Sequence, residues 1–348
     1  MKRLHKAHPL RIFWISSLVT LGIAAFVGIN LGPLALWLFA ILIVLEVTFS
    51  FDNAVINSKV LATMSKFWQT IFLTIGIFIA VFVVRFILPI VIVMVAAGLG
   101  FNQVVDLAIN DPDKYGATLH EAAPMIDAFG GAFLIMIGIS YFMDRRKDIH
   151  WLGAIERKLA TAGKFENLRV FVMLSVAMIL YATVDESYQT VVLSASILGV
   201  ILHMGLELFG SAFESQQNET KQRVGMAAFA SFLYLEVLDA SFSFDGVIGA
   251  FAITNNIVLI IAGLGVGAVW VRSLTVYLLR SGTLGKYRYL EHGAHWAILA
   301  LGITMFAKLY HLEPPEWIVG SLGLVFIITA VISSIIERRR IAKRSSAA

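Results

Sequence analysis

Two octapeptides carry the residues most able to do chemistry: Glu46-Val-Thr-Phe-Ser-Phe-Asp52-Asn53 and Asp239-Ala-Ser-Phe-Ser-Phe-Asp245-Gly246. Each sets two acids six residues apart around a shared Phe-Ser-Phe-Asp, and Glu236 adds an acid three residues before the second copy. Glu46, Asp52, Asn53, Glu236, Asp239 and Asp245, with the motif serines Ser50 and Ser243, form an all-oxygen set. Such a set suits hard divalent cations such as Mn2+, Mg2+ or Ca2+, whereas Cu(I) calls for Cys or Met and zinc usually for Cys or His. A proton relay or a monovalent cation is the rival assignment, because carboxylates inside membranes also carry protons. The 348 residues include no cysteine, which excludes disulfides, thiolate metal sites, iron–sulfur clusters and thiol catalysis.

The elements that must position these acids are apolar. The sequence is 59% hydrophobic and 14% charged, against about 25% charged in a typical soluble domain. Ten apolar stretches, at about 10–29, 33–56, 67–96, 122–143, 169–184, 190–212, 224–249, 256–279, 293–310 and 317–336, consume most of the length. They predict an all-α integral membrane protein of about ten transmembrane helices in a single transmembrane domain, 1–348. Its partner is the lipid bilayer. The first stretch follows a basic start and ends in Asn-Leu-Gly-Pro, which reads as an uncleaved span. Pro89 is expected to kink or split the third. The net charge of +4 is scattered over loops and tails, which gives a nucleic-acid partner no support.

Loop charge sets the topology. If Asp185-Glu186 separates two spans, the N-terminus, the loops at 57–66, 144–169 and 280–292 and the basic tail from Glu337 share one side, which the positive-inside rule makes cytoplasmic. The other side receives the 97–121 loop, with Asp106, Asp111, Asp113 and Glu121 against Lys114. Both termini are then cytoplasmic.

The two motifs belong to a longer internal repeat. Arg85 corresponds to Arg272, and Ile135-Met-Ile-Gly138-Ile-Ser140 resembles Leu299-Ala-Leu-Gly302-Ile-Thr304. Three successive spans therefore recur, repeat A at about 33–143 and repeat B at about 224–310. The motif-bearing spans are five crossings apart, so the copies run in opposite directions, an inverted-topology repeat of three-helix units. In such folds the substrate site lies near the bilayer midplane between repeats. Glu46, Ser50 and Asn53 fall on one helical stripe, as do Asp239, Ser243 and Gly246. Asp52 sits about 240° round from Glu46, so both acids reach one cavity only if the helix unwinds, or else they serve different points of a path. Asp127 and Glu291, each eleven residues before the matched glycines, are expected at span entrances.

A charged side chain at bilayer depth costs roughly 2.5–3.5 kcal/mol on insertion scales. Five acids in two spans therefore call for a ligand, or else for pairing with Arg85 and Arg272 as structural ion pairs. The arginines would neutralise the acids when no cation is bound.

The Phe-Ser-Phe-Asp-Asn motif after an intramembrane Glu, with its second copy from Glu236 to Asp245, resembles the TerC family of the LysE-type transporter superfamily, which includes the Alx-like proteins. Within it the chain is similar to a branch known as a domain of unknown function. The resemblance covers about 33–310 and implies a bacterial inner-membrane protein linked to manganese efflux, with Glu46, Asp52, Glu236 and Asp245 contributing to metal handling. An enzyme is not expected: Gly263-Leu-Gly-Val-Gly267 lacks the Asp of an intramembrane aspartyl protease, and no Gly-x-Ser-Gly, His-Glu-x-x-His or Walker A sequence is present. No cofactor is expected. The function expected is export of a hard divalent cation, Mn2+ first, driven by an ion gradient. The alternatives are a membrane scaffold or assembly factor whose acids form structural ion pairs, and a transporter of protons or another cation.

Overall fold

The computed structural model describes residues 8–145, 147–165, 167–214, 222–312 and 314–347. In chain order the helices are α1 (Pro9–Phe49), α2 (Phe51–Thr63), α3 (Lys66–Ile71), α4 (Leu88–Ala97), α5 (Phe101–Asn110), α6 (Pro112–Glu121), α7 (Ala123–Phe142), α8 (Gly153–Ala162), α9 (Leu168–Thr183), α10 (Gln189–Glu214), α11 (Gly225–Ile253), α12 (Ile257–Ser281), α13 (Thr283–Lys286), α14 (Leu290–Lys308) and α15 (Glu316–Ala347). Two π-helical stretches, Phe72–Gly76 and Ile79–Ile87, lie between α3 and α4. Among the described residues there is no β-strand, and seven helices are long and apolar enough to cross a membrane. The protein is an all-α integral membrane protein.

The first two expected spans meet within α1, broken at Gly32, whose φ of 88° suits a residue without Cβ, just before Pro33, which can donate no helical hydrogen bond. The 169–212 stretch is two helices, α9 and α10, parted at Asp185. The expected 97–121 loop is instead largely helical. Gln103 Oε1 accepts the Gly100 N–H at 2.8 Å, and the Asp111 carboxylate accepts the Lys114 N–H at 3.2 Å with Pro112 starting α6. Val104, Ala108, Tyr115 and Leu119 are buried beneath them. Acidic charge marked this segment as a loop, but the caps and a buried apolar face make it two helices.

The chain divides into two compact units. One gathers within Met1–Ile126 and Leu206–Ser281. In it α1 and α12 pack along a seam of small residues: a Cβ added to Gly263 would lie 2.5 Å from Leu42 Cβ, and one added to Gly267 2.5 Å from Glu46 Cβ. Glycines four apart let the two backbones approach, which seats the Glu46 end of α1 against α12.

The other unit gathers within Asp127–Gly205 and Gly282–Ala348. Here the third helices of the two repeats, α7 and α14, meet reciprocally. Gly138 packs on Leu299 while Gly302 packs on Ile135, and Gly130 lies against Met305. The partner number falls as the first rises, so the two helices run antiparallel. In the expected cytoplasmic loop, Glu156 of α8 is buried and accepts the Trp151 N–H at 2.7 Å and the Trp296 Nε1–H at 2.9 Å, while His292 Nδ1 lies 2.8 Å from its Oε2. Burial alone would raise the Glu156 carboxyl, but the adjacent His292 ring and the hydrogen bond from Trp296 outweigh it and hold it down at about 2.

Candidate cation site

The first copy of the motif reaches the site through a break and the second through a continuous helix. Ser50 (φ −100°, ψ 14°) separates α1 from α2, whereas α11 runs through Asp239 to Gly246 without interruption. Of the two arrangements open to the sequence, the break is thus present in one copy alone. Arg85 comes from the second π-helical stretch and Arg272 from α12. The π bonding pattern leads directly into α4, where Pro89 supplies no N–H, and Arg85 Nη1 donates to the Ala80 carbonyl at 2.5 Å.

These elements bring Glu46, Asn53, Arg85, Glu236, Asp239 and Arg272 together, all buried. Arg85 pairs with Glu46, and its Nη1 lies 3.9 Å from Asp239 Oδ2. Arg272 Nη2 lies 3.4 Å from Glu236 Oε1, 3.7 Å from Asp239 Oδ2 and 3.3 Å from the Gly76 carbonyl. The Arg272 guanidinium also stacks 3.8 Å above the Phe72 ring. Asn53 Nδ2 donates to Asp239 Oδ1 at 2.5 Å, and the Ser50 hydroxyl donates to Glu46 Oε1 at 2.7 Å. Taken as ionised, three carboxylates meet two guanidiniums, which leaves one negative charge in surplus. Among the described residues no three His, Asp or Glu side chains are grouped so as to hold a metal ion, and both arginines stand within 4 Å of Asp239.

The two motif copies pass each other antiparallel. Asn53 meets Asp239, and at the equivalent position Gly246 faces Glu46, where an added Cβ would lie 3.2 Å from Glu46 Oε2. The longer acid faces glycine and the shorter one faces asparagine, so the departure of Gly246 from Asn53 keeps the two crossings similar in volume.

Asp52 is buried but points elsewhere: its Oδ1 accepts the Asn53 N–H at 2.9 Å, and it joins neither arginine among the described residues. The break at Ser50 does not bring it into the cluster beside Glu46. Asp245 falls on α11, but its side chain lies outside the described part of the structure. Asp127 is buried in α7 and belongs to the other compact unit.

Two residues, Asn57 and Gly76, have no place in the sequence analysis, and Gly267 stands there only in a protease-like run. Asn57, one turn beyond Asn53 on the same face of α2, is wholly buried, and neither its Oδ1 nor its Nδ2 has a hydrogen-bond partner among the described residues. Its four-residue spacing from Asn53 was the available signal. Gly76 lies so close to Glu236 that an added Cβ would fall 2.6 Å from Oε1, and Gly267 lies similarly close to the Glu46 stem.

Comparison with known proteins then gives a family. Residues 51–341 match the family described as Protein of unknown function (DUF475), a match that takes in both copies of the motif except Glu46 to Ser50. The chain belongs to the DUF475 family. This DUF475 chain is also 24% identical over 110 residues to an uncharacterized membrane protein of Rickettsia prowazekii (strain Madrid E). That match covers 32% of the chain and spans 36% of the relative's length. No solved structure gives a significant match.

Proposed function

We propose that this DUF475 protein is a secondary transporter that exports a hard divalent cation, Mn2+ first, across the bacterial inner membrane, with both termini in the cytoplasm. The observation that carries the reading is the buried crossing of two oppositely running acid motifs, closed by one arginine from each repeat. A membrane protein gains nothing structural from three carboxylates and two guanidiniums that apolar side chains of similar volume would not supply as well. An arginine pair is, however, a suitable stand-in for a divalent ion, since it neutralises the acids between loads. Manganese comes from the TerC resemblance of the motif, and the all-oxygen donor set agrees with it. The sequence shows no nucleotide-binding loop, so an ion gradient is the driving force proposed, with proton antiport the simplest form.

The decisive test is flux of Mn2+, Mg2+, Ca2+ and Zn2+ into liposomes holding the purified protein, across imposed pH gradients. Mn2+ is expected to move, and Asp239→Asn to slow it by about tenfold or more, the scale of losing one charged ligand. Proton movement without any divalent ion would turn the site into a proton path. The pairing of every described acid of the cluster except Asp52 with an arginine or an asparagine favours one second reading, a structural ion-pair core in a scaffold. Under that reading Asp239→Asn destabilises the protein and no cation moves through the wild type.

A further inference from the structure

The two halves of the cluster are unequally satisfied. In the first, Glu46 Oε1 takes both Arg85 and the Ser50 hydroxyl. In the second, Ser243 follows Asp239 by four residues as Ser50 follows Glu46, yet its Oγ has no hydrogen-bond partner among the described residues. Asp239 Oδ2, Glu236 Oε2 and Asn53 Oδ1 share that condition. The side chains of Ser243, Asp239, Glu236 and Asn53 belong to residues 1%, 3%, 7% and 0% exposed, so bulk water does not reach them freely. The guanidiniums at 3.7 and 3.9 Å attract Asp239 Oδ2 by charge but stand beyond hydrogen-bond length.

The four residues that carry these oxygens belong to one neighbourhood. Asn53 is bonded to Asp239, Glu236 and Asp239 share Arg272, and Ser243 lies on the Asp239 face of α11. All four present lone pairs, which a cation satisfies and an anion does not. Two donors, Arg85 Nε and Arg272 Nη1, are also unpaired, but an anion addressing them would meet the surplus of carboxylate charge.

We propose that the cation is received on the second-copy half: Asp239 and Glu236 are its charged ligands, Asn53 and Ser243 its neutral oxygen ligands, and Glu46 stays closed on Arg85. The assignment rests on the transport reading above. Two charged and two neutral oxygens, completed by water, describe a site for a hard divalent ion. Arg272 yields to that ion while keeping the stacking on the Phe72 ring that it already has. Asn57 extends the neutral lining by one turn on the first-copy side, where the second copy has the buried Ala250 at the corresponding place. The inequality between copies therefore continues along α2.

The two motif serines test this, because they are repeat mates and each variant removes one hydroxyl. Mn2+ binding to the full chain in lipid nanodiscs is followed by titration calorimetry, with thermal midpoints confirming that each variant folds. Ser243→Ala is expected to raise the Mn2+ Kd about tenfold, the effect of one oxygen contact worth a hydrogen bond, and Ser50→Ala at least fivefold less than that. Equal effects of the two variants, or a larger one from Ser50→Ala, overturn the unequal site while wild-type binding and flux keep the transport reading intact. Wild-type protein that neither binds nor moves Mn2+ or another divalent ion overturns both.

Discussion

Glu46 and Arg85 show how much hangs on single atoms in this cluster. With both partners buried, removing one leaves the other as an uncompensated charge in a low-dielectric interior, which typically costs about 3–5 kcal/mol. Arg85→Gln should therefore lower thermal stability sharply, and the double variant Glu46→Gln with Arg85→Gln should recover most of it, as measured by a double-mutant cycle on unfolding in detergent. If the double variant is as unstable as the single one, the pair is not the source of the loss. The acids and both arginines were legible in the sequence because they recur at matched places, whereas the break at Ser50 that separates Glu46 from Asp52 left the direction of Asp52 open. The insertion of guanidiniums between the acids was not legible. It depends on contacts between residues 33, 36, 39 and 154 positions apart, which no local pattern encodes.

At the scale of elements, close approach between helices is what holds the acids at depth. The Gly263 and Gly267 seam lets α12 lie against α1, and a side chain at 267 would strike the stem of Glu46 and approach the Ile43 carbonyl at 3.3 Å. Gly267→Leu is expected to cost about 1–3 kcal/mol or more by overpacking, seen as a lower midpoint in detergent, and to displace Glu46 as well. Gly265→Ala, which meets only Val81 at 3.2 Å, should cost less, and equal losses at 265 and 267 would refute the seam. Gly-x-x-x-Gly spacing was visible in the sequence, but the same glycines were weighed there as a protease motif, and only the partner helix distinguishes packing from catalysis. The helices α5 and α6 were missed because their acids outweighed their caps in the reading. The Glu156 knot was missed because His292 and Trp296 lie more than 130 positions away.

Over the whole molecule, the repeat and the compact units cut the chain differently. The two motif copies and both arginines lie in the unit that holds the acid cluster, while α7 and α14, the third elements of the proposed repeats, lie in the other unit, where they meet antiparallel. Matched elements thus pair with each other in both units. The proposed topology can be read directly because the chain has no cysteine. Ser187→Cys, in the exposed break between α9 and α10, should react with a membrane-impermeant maleimide from outside intact cells, and Arg339→Cys, exposed near the end of α15, only after the membrane is opened. Labelling of both from the same side would contradict an odd number of crossings between them.

The π-helical stretch Ile79–Ile87 gives the third span the property of a screw thread. Its bonds close over one more residue than those of an α-helix, so it holds slack that an α-helix of the same residues would not. Returning one turn to α bonding advances whatever lies beyond it by a single residue, about 100° of rotation and 1.5 Å of travel. Arg85 rides on that thread while Glu46 is clamped on α1 by the glycine seam. A quarter-turn of backbone there would carry the guanidinium off its carboxylate, so the closed Arg85–Glu46 half of the proposed site depends on the π bonding being kept.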